Sequence, residues 1–254
     1  MRKTLSRWQM VLATVGIVPF CAYTVIAFAQ QAPVATPVRA VLAVTNLPSV
    51  VDAPRFFNLS RVELPPGQSA NYRGPVGFVY VLSGVLLAQS DGRQQTLRPG
   101  DALLVPAGAQ RLLTPTAPDR AVFLHYVLAR SAELHETRTF EPASITELYR
   151  SPAAIPNLKP GPHELTLTRV TFPPRMSPNP SHYRSGAALY YILAGPGIFV
   201  ADGKTERKDT GRPHFEPYGW VHQWGNEAET PLVLLQANIS QEGVPAVIMG
   251  TRAP

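Results

Sequence analysis

Short apolar runs alternate with turn residues along most of this chain. Residues 78–82 and 188–193 are dense in β-branched and aromatic side chains, and each run soon closes on a glycine, Gly84 or Gly195. Leu103-Leu104-Val105 is a shorter run held between Gly100 and Pro106. Runs of this length and composition predict strands. Asp91-Gly92 and Asp202-Gly203 predict tight hairpin turns. The 27 prolines and 18 glycines punctuate the chain too often for long helices and suit many short strands. Two segments break the pattern. Residues 10–29 carry no charge at all, and residues 131–162 read as a connector with one short helix, Ser144–Arg150, before a Pro-rich stretch.

The pattern repeats. Residues 59–66 match residues 167–174 at an offset of 108, and a three-residue insertion in the next loop raises the offset to 111. Tyr72-Arg73 then matches Tyr183-Arg184, Gly84 matches Gly195, Gly92 matches Gly203, Gly100 matches Gly211, and Gly108 matches Gly219. Val122 and Leu124 match Val233 and Leu235. Two copies of one unit of about ninety residues, all strand and turn, predict a pair of sandwiches or small barrels.

The first residues have another character. Arg2, Lys3 and Arg7 precede the uncharged stretch, which ends in Ala27-Phe28-Ala29 before Gln30. This is the three-part layout of a secretory signal peptide over residues 1–29. It implies a periplasmic or secreted protein with no membrane association after cleavage. The competing reading is an uncleaved anchor, since about 20 apolar residues can span a bilayer. Cys21 is the only cysteine, so cleavage would leave a chain with no disulfide, no thiol nucleophile and no thiolate ligand. The net charge of +6 becomes +3 without the leader, 20 basic against 17 acidic residues. No basic run is longer than Arg207-Lys208, which argues against a nucleic-acid partner.

Gly211, Pro217, Gly219, His222 and Asn226 reproduce a Gly-x5-Pro-x-Gly-x2-His-x3-Asn motif, and through it the chain resembles the cupin family. The resemblance covers roughly residues 55–128 and 163–240. It implies an all-β protein of two tandem jelly-roll barrels with a short helical connector. The expected domains are the leader 1–29, an N-terminal barrel 41–130, a linker 131–162 and a C-terminal barrel 163–254. Metal-bearing cupins hold a divalent ion on a His-x-His pair, a Glu and a later His. Counting from Gly195 and the second motif, those positions are His182, Arg184, Ala188 and His222 in the second unit. In the first unit they are Asn71, Arg73, Gly77 and Arg111, so that barrel is expected to be metal-free.

The resemblance leaves the function open between three readings. One is an exported bicupin with a small-molecule pocket in the C-terminal barrel and an eroded metal site, using His182 or His222 as a proton carrier if it is catalytic. The second is a metal-dependent dioxygenase, isomerase or lyase. There His182 and His222 would hold Mn, Fe, Zn or Ni, with Glu216 or His214 filling the gap, because catalytic sites generally need three protein ligands. The third is a ligand-sensing module without turnover. Arg184 offers a donor fork to an anionic ligand, while Tyr183, Tyr190, Trp220 and Trp224 would wall the pocket. The equivalence of Arg73 and Arg184 also permits an architectural role shared by both barrels. His125, His135 and His163 lack motif support and read as structural or surface residues. One barrel could supply the surface of a homodimer.

Overall fold

The computed structural model describes residues 35–90, 92–116, 118–134 and 143–250. The leader reading of residues 1–29, Asp91 and His135 lie outside them. Nineteen strands and one 3-10 turn, Ala132–Leu134, make up the described secondary structure. The first barrel uses β2 (Arg55–Leu64), β3 (Ala70–Tyr72), β4 (Gly77–Ser83), β5 (Leu86–Ser90), β6 (Arg93–Leu97), β7 (Ala102–Val105), β8 (Arg111–Pro115) and β9 (Ala121–Arg130). The second uses β11 (His163–Phe172), β12 (His182–Arg184), β13 (Ala187–Ala194), β14 (Gly197–Ala201), β15 (Lys204–Lys208), β16 (Pro213–Glu216), β17 (His222–Gly225), β18 (Leu232–Gln241) and β19 (Val247–Met249). The two remaining strands, β1 (Val38–Leu47) and β10 (Ser144–Arg150), join the barrels in an order the sequence does not suggest.

β1 precedes the first barrel in the chain yet hydrogen bonds to β11 of the second, Val38 opposite Thr171 and Leu47 opposite His163. β10 immediately precedes the second barrel yet pairs with β2 of the first, Ser144 opposite Glu63 and Arg150 opposite Asn58. Each barrel's large sheet is therefore completed by a strand from across the chain, in the orders β1-β11-β18-β13-β16 and β10-β2-β9-β4-β7. The helix expected over Ser144–Arg150 is this strand. Its Ile145, Thr146 and Tyr149 favour extended backbone, and the open edge of β2 supplies the hydrogen bonds a strand needs. Likewise β1 straddles the expected domain start at residue 41 and serves the other barrel.

The large sheets pack face to face. Phe57, Leu59, Phe78, Tyr80, Leu124, Tyr126 and Leu128 from one meet Leu165, Leu167, Leu189, Leu235, Ala237 and Ile239 from the other in a single buried cluster. Each fully buried Leu or Phe side chain contributes about 1.5–3 kcal/mol. Alternate residues of the same strands point into the barrels, where two further clusters form around Val79, Phe123 and Val105, and around Val170, Tyr190 and Trp224. A strand covered on both sides needs apolar residues at nearly every position, which explains the unbroken burial of β9 from Ala121 to Ala129.

Turn chemistry behaves as read. Asp202 (φ 51°) and Gly203 (φ 70°) both take positive φ, as a type I′ hairpin turn requires.

Candidate functional site

The side chains marked by the second motif converge inside the C-terminal barrel. His182 on β12 and His222 on β17 face each other across an antiparallel pair, with ring centroids 4.4 Å apart. Nδ1 of His182 lies 2.9 Å from Pro180 O and Nδ1 of His222 lies 2.7 Å from Trp220 O. A carbonyl only accepts, so each Nδ1 carries the proton and each Nε2 is the nitrogen left for the lumen. Burial and the neighbouring His222 push the His182 pKa down to about 4. Its imidazole is uncharged at neutral pH and a weak base there.

Arg184 lies two residues from His182 on the same face of β12 and is 1 % exposed. Its Nε donates to Glu216 Oε2 at 2.7 Å, and its Nη2 donates to the Tyr190 hydroxyl. Glu216, on β16, is fully buried and also accepts from Trp224 Nε1 at 2.6 Å. His222 Nε2 lies 3.0 Å from Glu216 Oε1, a contact that becomes an ion pair only when the imidazole is protonated. Burial by itself would raise the Glu216 carboxyl, but the Arg184 charge, the adjacent His222 imidazole and the Trp224 donor together hold it well below the usual carboxylate range. The acid that replaces a core valine is thus a fully paired anion. Glu216 stands directly opposite Ala188 in the β13–β16 ladder, just as Val105 stands opposite Gly77 in the first barrel.

A further ring sequence reading did not single out, Phe199, sits at the centre of the aromatic group. It meets His214 edge-on at 4.3 Å, stacks near His222 at 5.3 Å and touches both Trp220 and Trp224. His214 is buried in this cage, and desolvation holds its pKa down to about 4 against the opposing pull of Glu216. Trp220 is half-buried at the rim and donates Nε1 to Asp202 at 3.0 Å. Tyr183 points away from His182 and Arg184, towards β19 and Gly250, so it does not wall the site. Asn226, the last motif residue, bonds the carbonyls of Phe172, Pro173 and Thr230 and the amide of Ala228; it fastens a loop.

The expected small-molecule pocket is largely filled. The cavity bordered by His182, Arg184, Tyr190 and Trp224 has a volume of about 10 Å³, room for roughly one water. A wider hollow of about 710 Å³, open to solvent, lies instead on the first barrel between Ser90, Arg93, Gln95 and Arg111.

The first barrel also corrects the repeat alignment. Tyr72 pairs with Arg111 where His182 pairs with His222, and Gly108 N bonds Gly74 O where Gly219 N bonds Arg184 O. Gly74, not Arg73, is the counterpart of Arg184, and Tyr72, not Asn71, is that of His182. Only two of the three inserted residues precede β12; the third follows it. A one-residue slip exchanges the faces of a strand, so Asn71 and Arg73 are exposed while Tyr72 turns inward against His125 at 4.6 Å. The metal positions of this barrel are Tyr72, Gly74, Gly77 and Arg111, none of them an ordinary ligand.

A metal does not suit the second barrel either. Two imidazoles remain at the family's ligand positions, both oxygens of Glu216 are engaged, and a buried guanidinium occupies the neighbouring position and repels a dication. Among the described residues no cluster of three or more His, Cys, Asp or Glu side chains is arranged to hold an ion.

Residues 60–126 match the family profile described as "Cupin domain". Among solved structures, AerE from Microcystis aeruginosa aligns with a TM-score of 0.52 at 15 % identity, over 82 % of this chain and 98 % of its own. A single-residue variant of Bacillus subtilis oxalate decarboxylase OxdC aligns with a TM-score of 0.51 at 14 % identity, over 80 % and 78 %. Salicylate 1,2-dioxygenase from Pseudaminobacter salicylatoxidans gives 0.49 at 15 % identity, over 72 % and 71 %. Identities this low speak for the fold. No curated protein matches the chain.

Proposed function

We propose that this chain, whose residues 60–126 match a cupin domain, is a cupin in both barrels and an exported, metal-independent binding protein for a small polar molecule. One observation carries the reading: a buried Arg184–Glu216 ion pair, 2.7 Å long, stands where the family's resemblance puts metal ligands. The guanidinium supplies a fixed positive charge in place of a cation, and Glu216, Tyr190, Trp224 and His222 are arranged around it rather than around an ion. The low pKa of His182 counts against acid–base turnover at neutral pH. Export rests on the basic, uncharged and small-residue segments of residues 1–29.

Metal analysis of the mature protein, purified without chelator and again after exposure to Mn, Fe, Zn and Ni salts, tests the proposal. The expected result is far less than one ion per chain. Stoichiometric metal that disappears in both His182→Ala and His222→Ala would replace this reading with a metalloenzyme. N-terminal sequencing of the secreted or periplasmic protein, expected to start near Gln30, tests export.

A further inference from the structure

Two arginines from distant parts of the chain border the small cavity of the C-terminal barrel. Arg184 presents it from β12; Arg39 reaches it from β1, the strand that crosses over from the other end of the sequence. Asn179, His182 and Gln236 supply the rest of its polar lining. The Arg184 guanidinium spends Nε on Glu216 and Nη2 on Tyr190, which leaves Nη1 buried without a hydrogen-bond partner. Arg39 is exposed as a residue, and its contact here is Nη1 to Gln236 Oε1 at 3.4 Å. Among the described residues no carboxylate pairs with it. Two guanidiniums turned towards one hollow repel each other unless something negative stands between them, and a buried N–H with no acceptor carries a desolvation cost.

We infer that the gap between Arg39 and Arg184 is a binding site for a compact monovalent anion, of the size of chloride or formate. The inference rests on the metal-independent reading, because a metal ion held beside Arg184 would occupy the space the anion needs. The volume of about 10 Å³, room for roughly one water, limits the occupant to the smallest anions. The planar donors of Arg184 suit either a halide or a carboxylate oxygen. Arg39, at the solvent side, makes the entrance and gives the exchanged strand a part in the site.

The test compares melting temperatures in sodium gluconate, sodium chloride and sodium formate at one ionic strength and pH 7.5. Gluconate is too bulky to enter. Chloride or formate is expected to raise Tm by about 3–5 °C for each tenfold increase above its Kd. Arg39→Gln, an exposed change that leaves the ion pair intact, is expected to abolish the difference between salts. Arg93→Gln and Arg111→Gln, in the open hollow of the first barrel, are expected to keep it. Formate alone acting would mark a carboxylate site, chloride alone a halide site; both support the inference. Equal Tm in all three salts, a response that survives Arg39→Gln, or one lost in the first-barrel variants would overturn it. A metal-free protein without salt response sinks this inference alone, whereas stoichiometric metal sinks the reading beneath it.

Discussion

Ala188 and Glu216 are cross-strand partners in β13 and β16, so the carboxylate missing from one strand stands on the next, facing the same lumen. It is bound there to Arg184, which takes the place of the second imidazole of the His-x-His pair. The two departures from the family's ligand pattern are therefore a single arrangement: each supplies the charge that makes the other tolerable in the core.

We predict that Glu216→Gln destabilises the protein by about 3–5 kcal/mol, because it strands a buried guanidinium. Replacing both partners, Arg184→Met with Glu216→Leu, is expected to recover most of that loss, since a buried pair is worth little against apolar packing of similar volume. Urea unfolding of the single and double variants measures the coupling. Additive losses would show that the pair is not the unit described here.

Metal binding is expected to appear in Arg184→His. The change removes the repelling charge, frees Glu216 and places an imidazole on the same strand face as His182. Calorimetric titration with Zn or Mn should show about one site in the variant and none in the wild type. A variant that takes up no metal would mean the lumen is closed to ions for some reason other than charge.

Stability is expected to fall as the pH drops from about 6.5 to about 4. Burial, the leading cause in each, pushes His182 and His214 down to about 4, below the ordinary imidazole value of 6.5. In that window the unfolded chain binds more protons than the folded one, so acidification favours unfolding. His214 faces Phe199, Trp220 and Trp224, with Glu216, His222, Lys208 and Glu206 as its charged or titratable neighbours. At about 1.4 kcal/mol per pKa unit, the effect is on the order of 3 kcal/mol for each histidine. His214→Phe should flatten part of the slope in Tm against pH; an unchanged slope would remove His214 from the account.

Removal of residues 35–47 is expected to damage the C-terminal barrel, although these residues precede the N-terminal one in the chain. The edge of β11 loses its ladder and the sheet loses Leu42 and Leu47 from the shared core. Hydrogen exchange should show loss of protection in β11 and β18 before β2 and β9. Loss confined to the first barrel would contradict the exchanged pairing.

Much of this was legible in the sequence because the signals were local. Gly211 and Gly219, at φ of 83° and 73°, frame β16, and the intervening spacing brings His222 to its place. The hairpin at Asp202-Gly203 and the doubled strand pattern were equally plain. Three things were not local. The third inserted residue falls after β12, and no residue type near Tyr72 marks that slip, so Arg73 was aligned with the wrong partner. Ser144–Arg150 carries Leu148 and Glu147 as well as β-branched residues, and only the vacant edge of β2 decides for a strand. Arg39 lies more than a hundred residues from His182, and nothing in its own surroundings ties it to the C-terminal lumen.

The crossed strands also set an order of events for the newborn chain. β1 emerges early, but its partner β11 is synthesised more than a hundred residues later, and β2 must wait for β10. Neither barrel can finish its large sheet from its own sequence, and contacts over such separations form slowly. An N-terminal strand rich in valine, with Val38, Val41 and Val44 still exposed in the finished fold, therefore spends that interval unpaired.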